Sequence, residues 1–220
     1  MSIGRRLLEL LYPPRCPFCA KLLRPEEKGG LCETCARSLP WTRPEDTPHA
    51  VDFCDGCAAP VWYRGVVADG IGRYKFQGRR SYAEAFGALM AQCARRSWGD
   101  GPELVTWVPL SEKRRVQRGY DQAGLLAKYA ARSLGLPAEL LLEKVRDTGV
   151  QSRLHEESAR RANVQGAYRL RPGGEERCAN RSIILVDDVV TTGATLAECA
   201  ACLKLAGARQ VLALTLTRAK

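Results

Sequence analysis

The sequence predicts an α/β protein, a mostly parallel sheet flanked by helices, preceded by a small four-cysteine ribbon. Three observations predict it. Ile183, Ile184, Leu185 and Val186 form a short continuous apolar run, the pattern of a parallel strand buried on both faces. A second apolar run, Leu104 to Leu110, is likewise followed by polar residues and a segment of helical periodicity. Six of the ten cysteines are grouped near the N-terminus as C-x-x-C pairs.

The chain has 220 residues, enough for one α/β domain and a small appendage. Hydrophobic residues make up 45% and charged residues 26%, an ordinary balance for a chain that buries a core. The apolar runs are too short to span a bilayer, so no membrane insertion is expected. Met1 to Tyr12 has two arginines and several leucines but is interrupted by Glu9 and followed by no small-residue cleavage site. It reads as a short docking helix, and a cytoplasmic location is expected, in which ten cysteines stay reduced. A net charge of +10 favours polyanionic partners, either nucleic acid or a pyrophosphate-bearing substrate.

Taken in order, Cys16-Pro-Phe-Cys19 and Cys32-Glu-Thr-Cys35 are two C-x-x-C knuckles with tetrahedral Zn²⁺ ribbon spacing. The metal would hold all four thiolates deprotonated and supply folding energy that so short a segment lacks. Cys54-Asp-Gly-Cys57 has no fourth knuckle to match it. It reads as a half-site remnant or free thiols in a turn, with metal ligation as the alternative. Pro40 to Val51 reads as a linker, and the boundary falls near residue 58, giving a ribbon unit over 1–57 and an α/β unit over 58–220.

Val61 to Val67 reads as a strand and Ser81 to Arg95 as a helix. Between them, Tyr74 to Arg80 (YKFQGRR) is read as a solvated helix end with its rings packed inward, in preference to a nucleic-acid surface. After the strand Leu104 to Leu110 comes a basic loop containing Lys113, Arg114 and Arg118, then a helix starting near Asp121. Leu140 to Val145 reads as a short strand, Arg146 to Ala167 as a long polar segment, and Arg171 to Asn180 as a connecting loop. Asp187 and Asp188 end the strand that follows, where they would face a cationic or hydroxyl-rich ligand. Thr191, Thr192, Gly193 and Thr195 then lead into a helix, an arrangement suited to an anion, most often phosphate. Cys199 and Cys202 within that helix read as a core pair, and Gln210 to Thr217 as a final strand closing the sheet.

The stretch Ile183 to Thr195 closely resembles the signature of type I phosphoribosyltransferases, which bind phosphoribosyl pyrophosphate (PRPP). The resemblance implies that Asp187 and Asp188 hold the ribose hydroxyls and stabilise charge at C1′. It implies a 5′-phosphate grip by Thr191, Thr192, Gly193, Ala194 and Thr195, with Val189 beside them. Pyrophosphate would fall to Lys113, Arg114 and Arg118, with Mg²⁺ bridging ligand oxygens and the segment after Arg146 closing over the site. Arg118-Gly-Tyr-Asp-Gln122, together with the ribbon upstream and TTGAT downstream, is similar to the ComF (ComFC) family of competence-associated phosphoribosyltransferase-like proteins. Asp121 stands where that family commonly has Asn, which removes a donor and adds a charge. The family's association with competence implies further partners, single-stranded DNA and the proteins of DNA uptake.

Overall fold

The structure is a computed structural model and describes residues 13–27, 29–43, 46, 50–146 and 166–219. The proposed docking helix over 1–12 and most of the polar segment after Arg146 lie outside them.

Helix α1 (Glu33–Ser38) is followed by the short strands β1 (Gly56–Ala58) and β2 (Val61–Trp62). Two helices follow, α2 (Val66–Phe76) and α3 (Tyr82–Trp98). Strand β3 (Leu104–Trp107) leads into α4 (Glu112–Arg118) and α5 (Gln122–Leu134). The chain continues through β4 (Leu142–Lys144), β5 (Tyr168–Leu170), α6 (Gly174–Cys178), β6 (Ser182–Val190), α7 (Ala194–Leu205) and β7 (Gln210–Arg218).

The main sheet has the order β1-β7-β6-β3, with β2 also on β7, and every pairing is parallel. Period-two alternation divides its side chains between two cores. Ile184, Val186, Leu214 and Leu216 face α3, α5 and the cysteine ribbon, whereas Ile183, Leu185, Val211 and Ala213 face α7 and the small antiparallel β4-β5 sheet. Continuous apolar runs are what a strand covered on both faces requires.

The ribbon shares the first of these cores: Cys16, Phe18, Cys32 and Cys35 are buried in it with Tyr74, Tyr82 and Phe86. Phe18, between the two cysteines of the first knuckle, has its ring centroid 5.2 Å from that of Phe86. Glycines permit the approach. A Cβ on Gly70 in α2 would lie 2.6 Å from the Pro17 carbonyl oxygen, and one on Gly30 would lie 2.8 Å from Ala85 Cβ on α3.

Several boundaries differ from expectation. The strand at Val61 stops at Trp62 because Gly65 takes a positive φ of 52° and starts α2, whose apolar positions face the ribbon. The basic segment after β3 is helical, since the Ser111 side chain caps it by accepting from Arg114 N at 3.4 Å. A short helix, α6, interrupts the loop expected after Arg171, opening from Gly173 at φ 77°. The strand β6 does not end at its acids but pairs with β7 through Val190. Strand β7 lies inside the sheet rather than at its edge, because β1 and β2 return to cover it.

Candidate functional site

Strands β2, β3, β6 and β7 point their carboxyl ends at one cavity of about 410 Å³, where open α/β sheets bind ligands. Tyr63 follows β2, Val108 to Leu110 follow β3, and Ala219 follows β7, and each lines it. Strand β6 contributes Asp187, Asp188, Val189 and Val190, and the loop beyond it contributes Thr191, Thr192, Gly193, Ala194 and Thr195.

Gly193 carries the turn. Its φ of 77° favours glycine, and a Cβ there would lie 2.9 Å from Val51 Cγ2. The helix α7 starts on the next residue, so its unsatisfied backbone N–H groups open toward the cavity. Ala194 N donates to Thr192 Oγ1 at 3.4 Å, which folds the hydroxyl back on the helix start.

The acids at the strand end differ in setting. Burial, and then the adjacent Asp188 carboxylate, push the Asp187 carboxyl up to about 7, although its Oδ1 accepts from Asp188 N at 2.8 Å. Asp188 is paired instead: its Oδ1 lies 2.8 Å from Lys75 Nζ, and their side chains are only 13% and 17% exposed. Lys75 comes from the YKFQGRR run, so one residue read as part of a solvated helix end in fact lines the cavity. The rings of that run divide: Tyr74 is fully buried, whereas Phe76 is 74% exposed, with the Arg118 guanidinium 5.5 Å from its ring centre.

On α4, Arg114 and Arg118 stand four residues apart and share the face that lines the cavity. Arg115, one residue on, turns outward to Glu112 at 2.7 Å. The backbone of Lys113 lies in the first turn of α4, but its side chain is outside the described set. Arg118 Nη1 donates to Gln122 Oε1 at 3.0 Å; Gln122 lines the cavity, and its amide nitrogen is buried with no hydrogen-bond partner among the described residues. Lys144 and Tyr168 line the opposite side from the β4-β5 sheet. No local pattern flagged either Lys144 or Tyr63 as a cavity residue.

Asp121 resolves the departure from Asn. It caps α5, with Oδ1 accepting from Gly124 N at 2.9 Å and Oδ2 accepting from Trp107 Nε1 at 2.9 Å. Both oxygens therefore accept, a pattern that an amide with one acceptor oxygen cannot reproduce.

The four ribbon sulfurs, on Cys16, Cys19, Cys32 and Cys35, all lie within 4.8 Å of one another, close enough for one tetrahedral ion. Cys32 Sγ also accepts from Cys35 N at 3.4 Å, so the knuckle's backbone supports its thiolates. Among the described residues this is the one cluster of three or more side chains of metal-binding type. Cys54 and Cys57 pack beside the second core, Cys57 within β1, and burial pushes their thiols up to about 12 and about 11.

Fold and site together define a zinc-ribbon α/β protein with a hydroxyl-rich helix start beside two acids at the carboxyl edge of a parallel sheet. Residues 7–71 match the double zinc ribbon domain. The chain is 30% identical over 225 residues to Competence protein F of Haemophilus influenzae, across 93% of this chain and 97% of that protein. It is 34% identical over 211 residues to the DNA utilization protein YhgH of Salmonella typhimurium, across 89% and 86%. It is 27% identical over 234 residues to Competence protein ComFC of Bacillus subtilis, across 97% and 88%. Among solved structures, the glutamine PRPP amidotransferase of B. subtilis complexed with ADP and GMP superposes with a TM-score of 0.42 and 23% identity, over 61% of this chain and 26% of that one. The chain belongs to the ComF family of competence proteins. Among the described residues, no helix is long and apolar enough to cross a membrane.

Proposed function

We propose that this protein binds PRPP with Mg²⁺ and transfers its phosphoribosyl group to an acceptor. The observation that carries the reading is the meeting, in one cavity, of an acid pair, a hydroxyl-rich helix start and two arginines. Each matches one part of the ligand. Asp187 and Asp188 accept hydrogen bonds from the ribose hydroxyls and stabilise positive charge developing at C1′. Thr191 to Thr195 bind the 5′-phosphate at the start of α7, where backbone N–H groups and the helix dipole favour an anion. Arg114 and Arg118, together with Lys113, neutralise the departing pyrophosphate, and the amide of Gln122, which also lines the cavity, supplies a further donor. Mg²⁺ held with the ligand beside Asp187 and Asp188 would offset the charge that the phosphates bring to the acids. Positioning and electrostatics supply the rate enhancement in this scheme.

In this reading, residues 1–57 form the ribbon unit and 58–220 the catalytic unit, with Zn²⁺ on the four ribbon cysteines serving a structural role.

Isothermal titration with PRPP and Mg²⁺ tests the binding step, and absence of heat with intact, zinc-loaded protein would sink it. Transfer is tested by supplying PRPP with a panel of nucleobases and amines and assaying pyrophosphate, with Asp188→Asn as the control.

A second reading is favoured by the relatives' names, which concern competence and DNA utilization. In it the protein binds PRPP without turnover and serves DNA uptake by contacting single-stranded DNA or competence proteins through its basic surface. Salt-sensitive DNA binding without pyrophosphate release would favour this second reading.

A further inference from the structure

Lys75 lies 113 residues from Asp188 in the chain, yet the two form a partly buried ion pair inside the cavity. The helix that presents it is held from two sides. On the ribbon side, Gly70 admits the Pro17 carbonyl and Arg73 donates to the Phe18 carbonyl oxygen. On the α5 side, the hydroxyl of Tyr74 donates to the Gln122 carbonyl at 2.8 Å, and the Tyr74 carbonyl accepts from the Tyr120 hydroxyl. Tyr74 also meets Phe86 edge-on at 5.6 Å, and Phe86 meets Phe18. Lys75 is therefore delivered to Asp188 by a helix turn with little freedom to move.

Two adjacent carboxylates repel the phosphates of any phosphoribosyl ligand as well as each other. A fixed ammonium on one of them cancels that charge and restricts the carboxylate to one orientation, leaving its second oxygen for a hydroxyl. We propose that Lys75 is a positioning residue of the phosphoribosyl site, acting through Asp188 to aim its carboxylate and to lower the negative potential that the ligand's phosphates meet. This inference rests on the PRPP reading above.

The test is titration of full-length, zinc-loaded protein with PRPP and Mg²⁺, comparing wild type, Lys75→Met, Lys75→Arg, Asp188→Asn and the Lys75→Met/Asp188→Asn double variant. Methionine keeps the unbranched stem and removes the charge, so zinc content and melting temperature should stay close to wild type. Affinity should fall roughly ten- to a hundredfold in Lys75→Met. Arginine should restore most of it, because the cation and not the packing matters. In the Asp188→Asn background the methionine change should cost little more, since Lys75 works through that carboxylate. Wild-type binding with Lys75→Met within about twofold of it overturns the role of Lys75 alone. So do additive losses in the double variant, or an arginine variant as weak as methionine. A wild type that does not bind PRPP overturns the phosphoribosyl reading, and this inference with it.

Discussion

Asp187 stands at the point where a buried strand meets a polar cavity, and its chemistry follows from that position. Its carboxyl is held near 7 in the folded protein against an ordinary value of 3.8. A raised carboxyl favours the folded state while protonated, so this contribution is complete below about 3.8 and is lost as pH rises through about 7. Ligand binding should run the other way. Mg²⁺ or a developing positive charge requires the carboxylate, so PRPP affinity measured with Mg²⁺ should rise between pH 6 and 8, roughly as the fraction of ionised Asp187. Flat affinity across that range would contradict the assignment. At the other end of the cradle, Gly193→Ala should destabilise the fold by about 1–3 kcal/mol, through positive φ and the approach to Val51, and should weaken phosphate binding. Urea unfolding and titration with inorganic phosphate measure the two effects separately. The need for glycine was legible from the TTGAT run, but its contact with Val51 was not, since Val51 is 142 residues away. Lys75 shows the same limit: its neighbours in sequence describe a helix end, and only the packing of that helix brings it to Asp188.

At the scale of elements, α3 and α5 pack against one another through Gly87. A Cβ there would sit 2.5 Å from Tyr129 Cβ and 2.9 Å from Ala130 N. A backbone atom cannot step aside as a flexible side chain can, so Gly87→Ala should separate the helices and cost about 1–3 kcal/mol in denaturant titration. A loss below about 0.5 kcal/mol would show that the contact is slack. Helices α3 and α5 were legible because each is long enough for its apolar positions to form a stripe. Helix α2 was misread at its start because Val61, Trp62, Val66 and Val67 make a short segment rich in apolar and β-branched residues, a pattern shared by strands and buried helix ends. Helix α4 was missed because its exposed face is charged and it has only seven residues, too few for a periodic signal.

For the whole molecule, the ribbon is part of the body. Phe18 is buried beside Phe86, and the ribbon cysteines lie in the same core as α2, α3 and α5. Removing zinc should therefore lower stability by several kcal/mol and loosen α2 along with the ribbon. Chelation should lower the melting temperature, and by displacing Lys75 it should weaken PRPP binding, with both effects reversed by added Zn²⁺. Unchanged melting after complete metal removal would show that the ribbon folds without its ion.

By itself the sequence determined the two cysteine knuckles, the parallel-sheet class, the acid pair and the hydroxylated turn that opens α7. These are local: knuckle spacing, continuous apolar runs and a strand-turn-helix are written within a few residues of each other. Only the tertiary structure decided that β7 lies inside the sheet, that the ribbon docks on α2, and that Lys75 meets Asp188. Those relations depend on which helix faces pack and how closely glycines let backbones approach. Such contacts join residues far apart in the chain and carry no signature at either end.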